Sequence, residues 1–86
     1  MESLNEIGQV THYYSKIGVA VVQLKAPLKV GDIILIKGAT TNLEQKVESM
    51  EIEHRNVDRA EAGQSVGLKV KDKVREKDIV YRKVSS

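Results

Sequence analysis

Cysteine, tryptophan and phenylalanine are absent from the 86 residues, and proline occurs once. Without cysteine there is no disulfide framework and the commonest structural zinc ligands are missing, so a chain this short must be held by packing alone. The same absence fits a reducing compartment. With three tyrosines as the only aromatics besides histidine, the interior must be built from Val, Ile, Leu and Ala, which favours strands. No apolar run approaches transmembrane length. The start, Met1 to Glu6, is polar and acidic, with neither the basic opening nor the apolar stretch of a signal peptide. The expected setting is soluble and cytoplasmic, with no membrane association. Phosphate-loop and helix-borne zinc spacings (G-x-x-x-x-G-K-[ST], H-E-x-x-H) are missing, and only two histidines are available. The sequence therefore predicts no catalysis, no nucleotide binding and no cofactor.

The residues present point to a folded β protein. At 41% hydrophobic and 30% charged, the composition lies outside the disorder range, and the length permits one domain, 1–86, with its core at about 7–84. Strands are expected at Ile7–Tyr14, at the apolar run Val19–Leu24, at Ile33–Ile36, at Glu44–His54, at Ser65–Val70 and at Asp78–Val84. Gly18, Gly31-Asp32 and Gly63 mark turns between them. The alternation of Glu44–His54 slips by one residue at Val47, which reads as one long strand bent by a bulge near Glu48-Ser49. The run Val19–Leu24 reads as a strand buried on both faces or set in a barrel wall. The expected core includes Val21, Ile34, Ile36, Val47, Ile52, Val66 and Leu68. Six such strands argue an all-β barrel or sandwich.

The ordered set Ile17-Gly18-Val19-Ala20-Val21-Val22, Leu28-Lys29-Val30-Gly31-Asp32, Val47 to Ile52 and Ala62-Gly63-Gln64-Ser65-Val66-Gly67-Leu68 resembles the second domain of elongation factor Tu and related translational GTPases. It is also similar to a barrel found in collagenase-like peptidases. The likeness spans roughly Gly8 to Tyr81. It implies a single six-stranded, antiparallel-rich closed β-barrel of the translation-protein type. Lys77-Asp78 stands where that family has Gly-Asp, so this turn is expected to adopt a conformation open to a non-glycine residue.

The resemblance also implies a site. In elongation factor Tu the loop after the first strand and the end of the long strand help hold the 3′ end of aminoacyl-tRNA, and here those places are Tyr13, Tyr14, Ser15 and Lys16 with Glu51, His54 and Arg55. Tyrosines stack on unpaired bases and cations meet phosphate, although Tyr13 or Tyr14 as a core plug and Arg55 as a solvated charge are the plainer readings. The charge distribution adds a second candidate, since the chain carries +4 from Lys69 onward and −2 before it. Lys69, Lys71, Lys73, Arg75 and Lys77 alternate, so Lys69, Lys71 and Arg75 either track a phosphate backbone or guard an edge strand against aggregation. Two weaker groupings are His12 beside the tyrosines, as a ligand contact, and Glu51, Glu53 and His54, as a metal set. The latter is undercut because a strand would send His54 to the opposite face. The resulting expectation is a non-catalytic binding module for RNA or the translation apparatus, with tRNA or ribosomal RNA as partner. The alternative is a protein-interaction subunit docking on an enzyme or factor encoded elsewhere, with a small hydrolase as a third class.

Overall fold

A computed structural model describes residues 2–85, the side chains of Glu2 and Ser85 excepted. Ten strands form, all paired antiparallel: β1 (Glu2–Tyr14), β2 (Val19–Leu24), β3 (Leu28–Lys29), β4 (Ile33–Lys37), β5 (Asn42–Lys46), β6 (Met50–Ile52), β7 (Arg55–Val57), β8 (Arg59–Ala60), β9 (Ser65–Lys69) and β10 (Ile79–Ser85). Eight of them make one sheet in the order β5-β4-β10-β1-β2-β9-β6-β7, and β3 with β8 makes a two-stranded ribbon.

Alternation sets which side chains go inside. Ala20, Val22 and Leu24 of β2, Ile34 and Ile36 of β4, Val66 and Leu68 of β9 and Val80 of β10 are buried, and they join Ile7, Val10, Leu28, Val47, Met50, Ala60, Val70 and Val74 in one core. Val21 and Ile52, expected inside, are only half-buried. For Val21 the cause is the pleat: its neighbours Ala20 and Val22 point inward, so it faces out.

The expected single strand 44–54 is two strands on opposite sides of the sheet. β5 pairs with β4, whereas β6 pairs with β9. Between them Val47 is buried, and its backbone leaves the ladder for the Gly31 bend, with the Val47 N–H donating to the Asp32 carbonyl (2.8 Å) and the Gly31 N–H to the Val47 carbonyl (2.9 Å). Laid flat, six strand spacings from β5 to β6 would measure about 29 Å, yet three residues span about 14 Å at most. The sheet is therefore strongly curled. No ladder joins β5 to β6, β7 or β9 among the described residues, so this is an open, curled sheet and not the closed six-stranded barrel expected. Where a ladder would close it, a side chain stands in: the buried Gln45 amide donates to the Lys69 carbonyl (2.8 Å) and accepts from the Lys71 N–H (2.8 Å).

Turn chemistry follows the glycines at three turns and departs from them at two, the β6–β7 hairpin and the turn before β10. Gly18, Gly31 and Gly63 take positive φ as their turns require, but so does Lys77, at 76°. The turn expected to relax for a non-glycine residue keeps the glycine-type backbone instead. It is pinned on both sides: the Lys77 N–H donates to the Val10 carbonyl (2.7 Å), the Val10 N–H to the Asp78 carbonyl (2.8 Å), and the Arg75 N–H to the buried Asp78 carboxylate (2.8 Å). Those bonds offset the roughly 1–2 kcal/mol that a left-handed residue with a side chain costs.

Candidate functional site

The outer surface of β2 and β9 carries a groove of about 500 Å³, walled by the β1–β2 turn on one side and the β6–β7 hairpin on the other. Its floor comes from the alternation that sends Val19 and Val21 outward. In register, Val21 lies opposite Gly67, and Gly67 opposite Glu51. Gly67 keeps this floor low, since a Cβ there would come to 3.3 Å from Val19 Cγ1.

One wall is Tyr14 and Ile17. Tyr14 ends β1 opposite Val19, and its carbonyl accepts from the Ile17 and Gly18 N–H groups (3.3 and 2.9 Å), closing the turn that lifts Ile17 into solvent. Ile17 is 57% exposed and Tyr14 51%, high values for large apolar side chains. The turn is tied to the end of β9, because the Val70 N–H donates to the Gly18 carbonyl (2.9 Å) and Lys69 Nζ to the Ile17 carbonyl (2.8 Å).

The other wall is Glu51, Glu53 and His54. Ile52 pairs with Arg55, leaving Glu53 and His54 as a two-residue loop with φ of 51° and 65°. Hairpins of this length prefer Asn-Gly because both central residues must be left-handed. Placing Glu and His there costs roughly 1–2 kcal/mol each. Backbone strain of this kind concentrates at functional sites. The turn also overturns the expectation that Glu51 and His54 face apart, since His54 is not in a strand. Even so, among the described residues no three His, Asp or Glu side chains are placed to hold a metal ion.

Tyr14, Glu51 and His54 thus share one groove, with Lys16 in its turn and Arg55 exposed beside its hairpin. The other expected residues lie elsewhere. Tyr13 packs against the core, and Tyr14 is stacked on His12 (ring centroids 6.3 Å apart), so the two tyrosines form no platform for bases. His12 itself pairs with Glu76 (3.5 Å). β9 ends at Lys69 and lies between β2 and β6, so Lys69 guards no edge. Lys71, Lys73, Arg75 and Lys77 follow in an irregular segment around buried Val74 and do not share a strand face. Reasoning from sequence missed Ile17, Val19, Val21 and Gly67. Their signal was the unbroken run Val19–Val22, which has more apolar residues than one buried face can use.

Comparison with known proteins places this geometry. The chain is 48% identical over 77 residues to an uncharacterized protease of Methanocaldococcus jannaschii and 40% identical over 78 residues to a collagenase of Porphyromonas gingivalis, covering 88% of itself in each case. Its likeness is to proteases. It spans only about a fifth of these relatives, 19% and 22% of their lengths. The fold matches the C-terminal domain of a Geobacillus thermoleovorans protein assigned as a U32 peptidase, with a TM-score of 0.85, 26% identity and coverage of 91% of both chains. The selenomethionine variant of that domain matches with a TM-score of 0.84. No family model matches the chain. These relatives correct the resemblance to elongation factor Tu, and with it the reading of a translation or RNA-binding module; the acidic groove, which would repel phosphate, agrees with that correction. No helix of the structure is long and apolar enough to cross a membrane.

Proposed function

We propose that this chain is a non-catalytic binding domain that serves a peptidase of the U32 type, with the catalytic groups supplied by a separate part. One observation carries the reading: nearly the whole chain is recognisable within a fifth of a protease and of a collagenase, and a domain of this shape from a U32 peptidase forms a structure by itself. Catalysis needs a nucleophile or water activator held against a base. Ser65 of Gly63-Gln64-Ser65-Val66-Gly67 lines the groove, but it opens strand β9 and not a strand-to-helix elbow, and its hydroxyl donates to the Gln23 side-chain oxygen (2.6 Å) and not to a base. Among the described residues no metal cluster accompanies the two glutamates and the histidine. A concave, mostly apolar surface with a few polar groups on its rim is suited to binding. A cytoplasmic setting belongs to the same reading, supported by the cysteine-free composition.

The test has two arms. The purified chain alone, given fluorescent gelatin, is expected to show no hydrolysis. Mixed with the M. jannaschii protease from which the matching fifth has been deleted, it is expected to associate with micromolar affinity by titration calorimetry. Hydrolysis by the chain alone that a point substitution in the groove abolishes, or absence of association, would overturn the proposal.

A further inference from the structure

From the groove's lining we infer that it holds an extended polypeptide segment in which an aliphatic side chain is flanked by lysine or arginine. The assignment deepens the accessory-domain reading by naming what its open face takes. Three features of the site select this occupant.

The first is uncovered apolar surface. Val19 and Val21 form a floor on the outer side of the sheet, and Tyr14 and Ile17, two of the four large apolar residues that stand exposed among the described residues, form a wall beside it. Gly67, with no Cβ, keeps the centre of the floor low where a partner's side chain would cross β9. Burying it there removes apolar area from water on both partners.

The second is charge. Glu51 and Glu53 line the groove, and neither is within 4 Å of a cation among the described residues, whereas Glu6, Glu44, Glu61 and Glu76 each have a partner. No lysine or arginine lines the groove. Lys69, on the same face, directs its ammonium to the Ile17 carbonyl. Two free carboxylates at the edge of an apolar floor favour a cationic neighbour to the aliphatic anchor and disfavour nucleic acid or an acidic peptide.

The third is the strained turn. Glu53 and His54, both left-handed, line the groove in a backbone conformation that a free hairpin of this sequence would avoid. The tertiary structure maintains that rim, so the site is preformed.

The deciding experiment titrates the isotope-labelled chain with the peptide Gly-Lys-Leu-Lys-Gly at about 50 mM salt, alongside Gly-Glu-Leu-Glu-Gly and Gly-Lys-Ser-Lys-Gly, following backbone amides. The cationic leucine peptide is expected to bind with Kd on the order of 0.1 mM, shifting Ile17, Glu53 and Gly67. Its acidic and serine counterparts are expected to bind at least tenfold more weakly. Glu51→Gln with Glu53→Gln should weaken binding by about five- to tenfold, and salt at 500 mM should do the same. Ile17→Ser should weaken it by about tenfold at unchanged melting temperature, because Ile17 contributes little to the core. Equal binding of the acidic peptide, shifts elsewhere on the surface, or no binding at millimolar peptide would overturn the inference. Failure here with intact association to the truncated protease removes the groove assignment alone. Peptide binding without that association removes the accessory role and keeps the groove.

Discussion

On the outer side of β4 and β10, Leu35 and Tyr81 face each other in register, with Glu44 and Glu6 opposite them on the next strands out. Lys83 reaches Glu44 at 3.2 Å and Lys25 pairs with Glu6, so the carboxylates beside that apolar surface are paired. On the outer side of β2 and β9, Val19 and Val21 occupy the equivalent outward positions, next to Tyr14, Gly67 and Glu51. Here, among the described residues, the carboxylates have no cation within 4 Å, and one position has no side chain at all. Leu35, Tyr81, Val19 and Val21 are all half-buried, so the two faces differ in how their charges are paired and in the glycine at the centre of the second. Outward aliphatic residues do not by themselves mark a binding surface. What marks the second face is its unpaired carboxylates, which can take a cation from a partner where those of the first already hold lysines.

The largest effect that tests this contrast comes from putting one charge on either side of β2. Val22→Asp should unfold the domain, since an unpaired carboxylate in the core costs several kcal/mol against a total of about 5–10. Val21→Asp, one residue away, should leave a cooperative urea transition within about 1 kcal/mol of the original. If both unfold the chain, the outer face of β2 is not open.

A second variant pairs a carboxylate of the second face. Val21→Lys places an ammonium across Gly67 from Glu51, giving that carboxylate a cation from two strands away, as Lys83 gives Glu44 diagonally on the other face. Stability should change by no more than about 0.5 kcal/mol, while affinity for the cationic leucine peptide falls more than tenfold. Retained binding would separate the groove from its carboxylates.

The smallest effect runs the other way. Glu44→Gln removes one partner of the exposed pair with Lys83 and should cost about 0–1 kcal/mol, read from the urea midpoint. A loss of several kcal/mol would mean that the pair holds the fold together.

Much of the fold was legible in the residues. β2, β4 and β9 lie within a residue or two of their expected bounds, because a buried face imposes a period of two on Val, Ile and Leu. β7 and β8 were not legible, since Arg55–Val57 and Arg59–Ala60 are polar segments that become strands only by pairing with β6 and β3. Residues 2–6 of β1 are similar: nothing in Glu2 to Glu6 favours a strand, and the partner β10 supplies the hydrogen bonds. At Val47 a slip of one residue is the same signal for a bulge and for a break. The break was decided by Gly31 and Asp32, which meet the Val47 backbone from a distant part of the chain.

The sequence by itself determined an all-β chain without a disulfide framework, the positions of its main turns and the set of aliphatic residues available for burial, because these depend on residue type and local spacing. The tertiary structure alone decided that the sheet stays open with Gln45 bridging its seam, that Lys77 takes a glycine's conformation, and that Val19 and Val21 stay half-buried beside unpaired carboxylates. Each of these depends on which groups from distant positions come to lie across from one another. A cross-strand neighbour such as Gly67 or Glu51 is set by register, and register is a property of the assembled sheet.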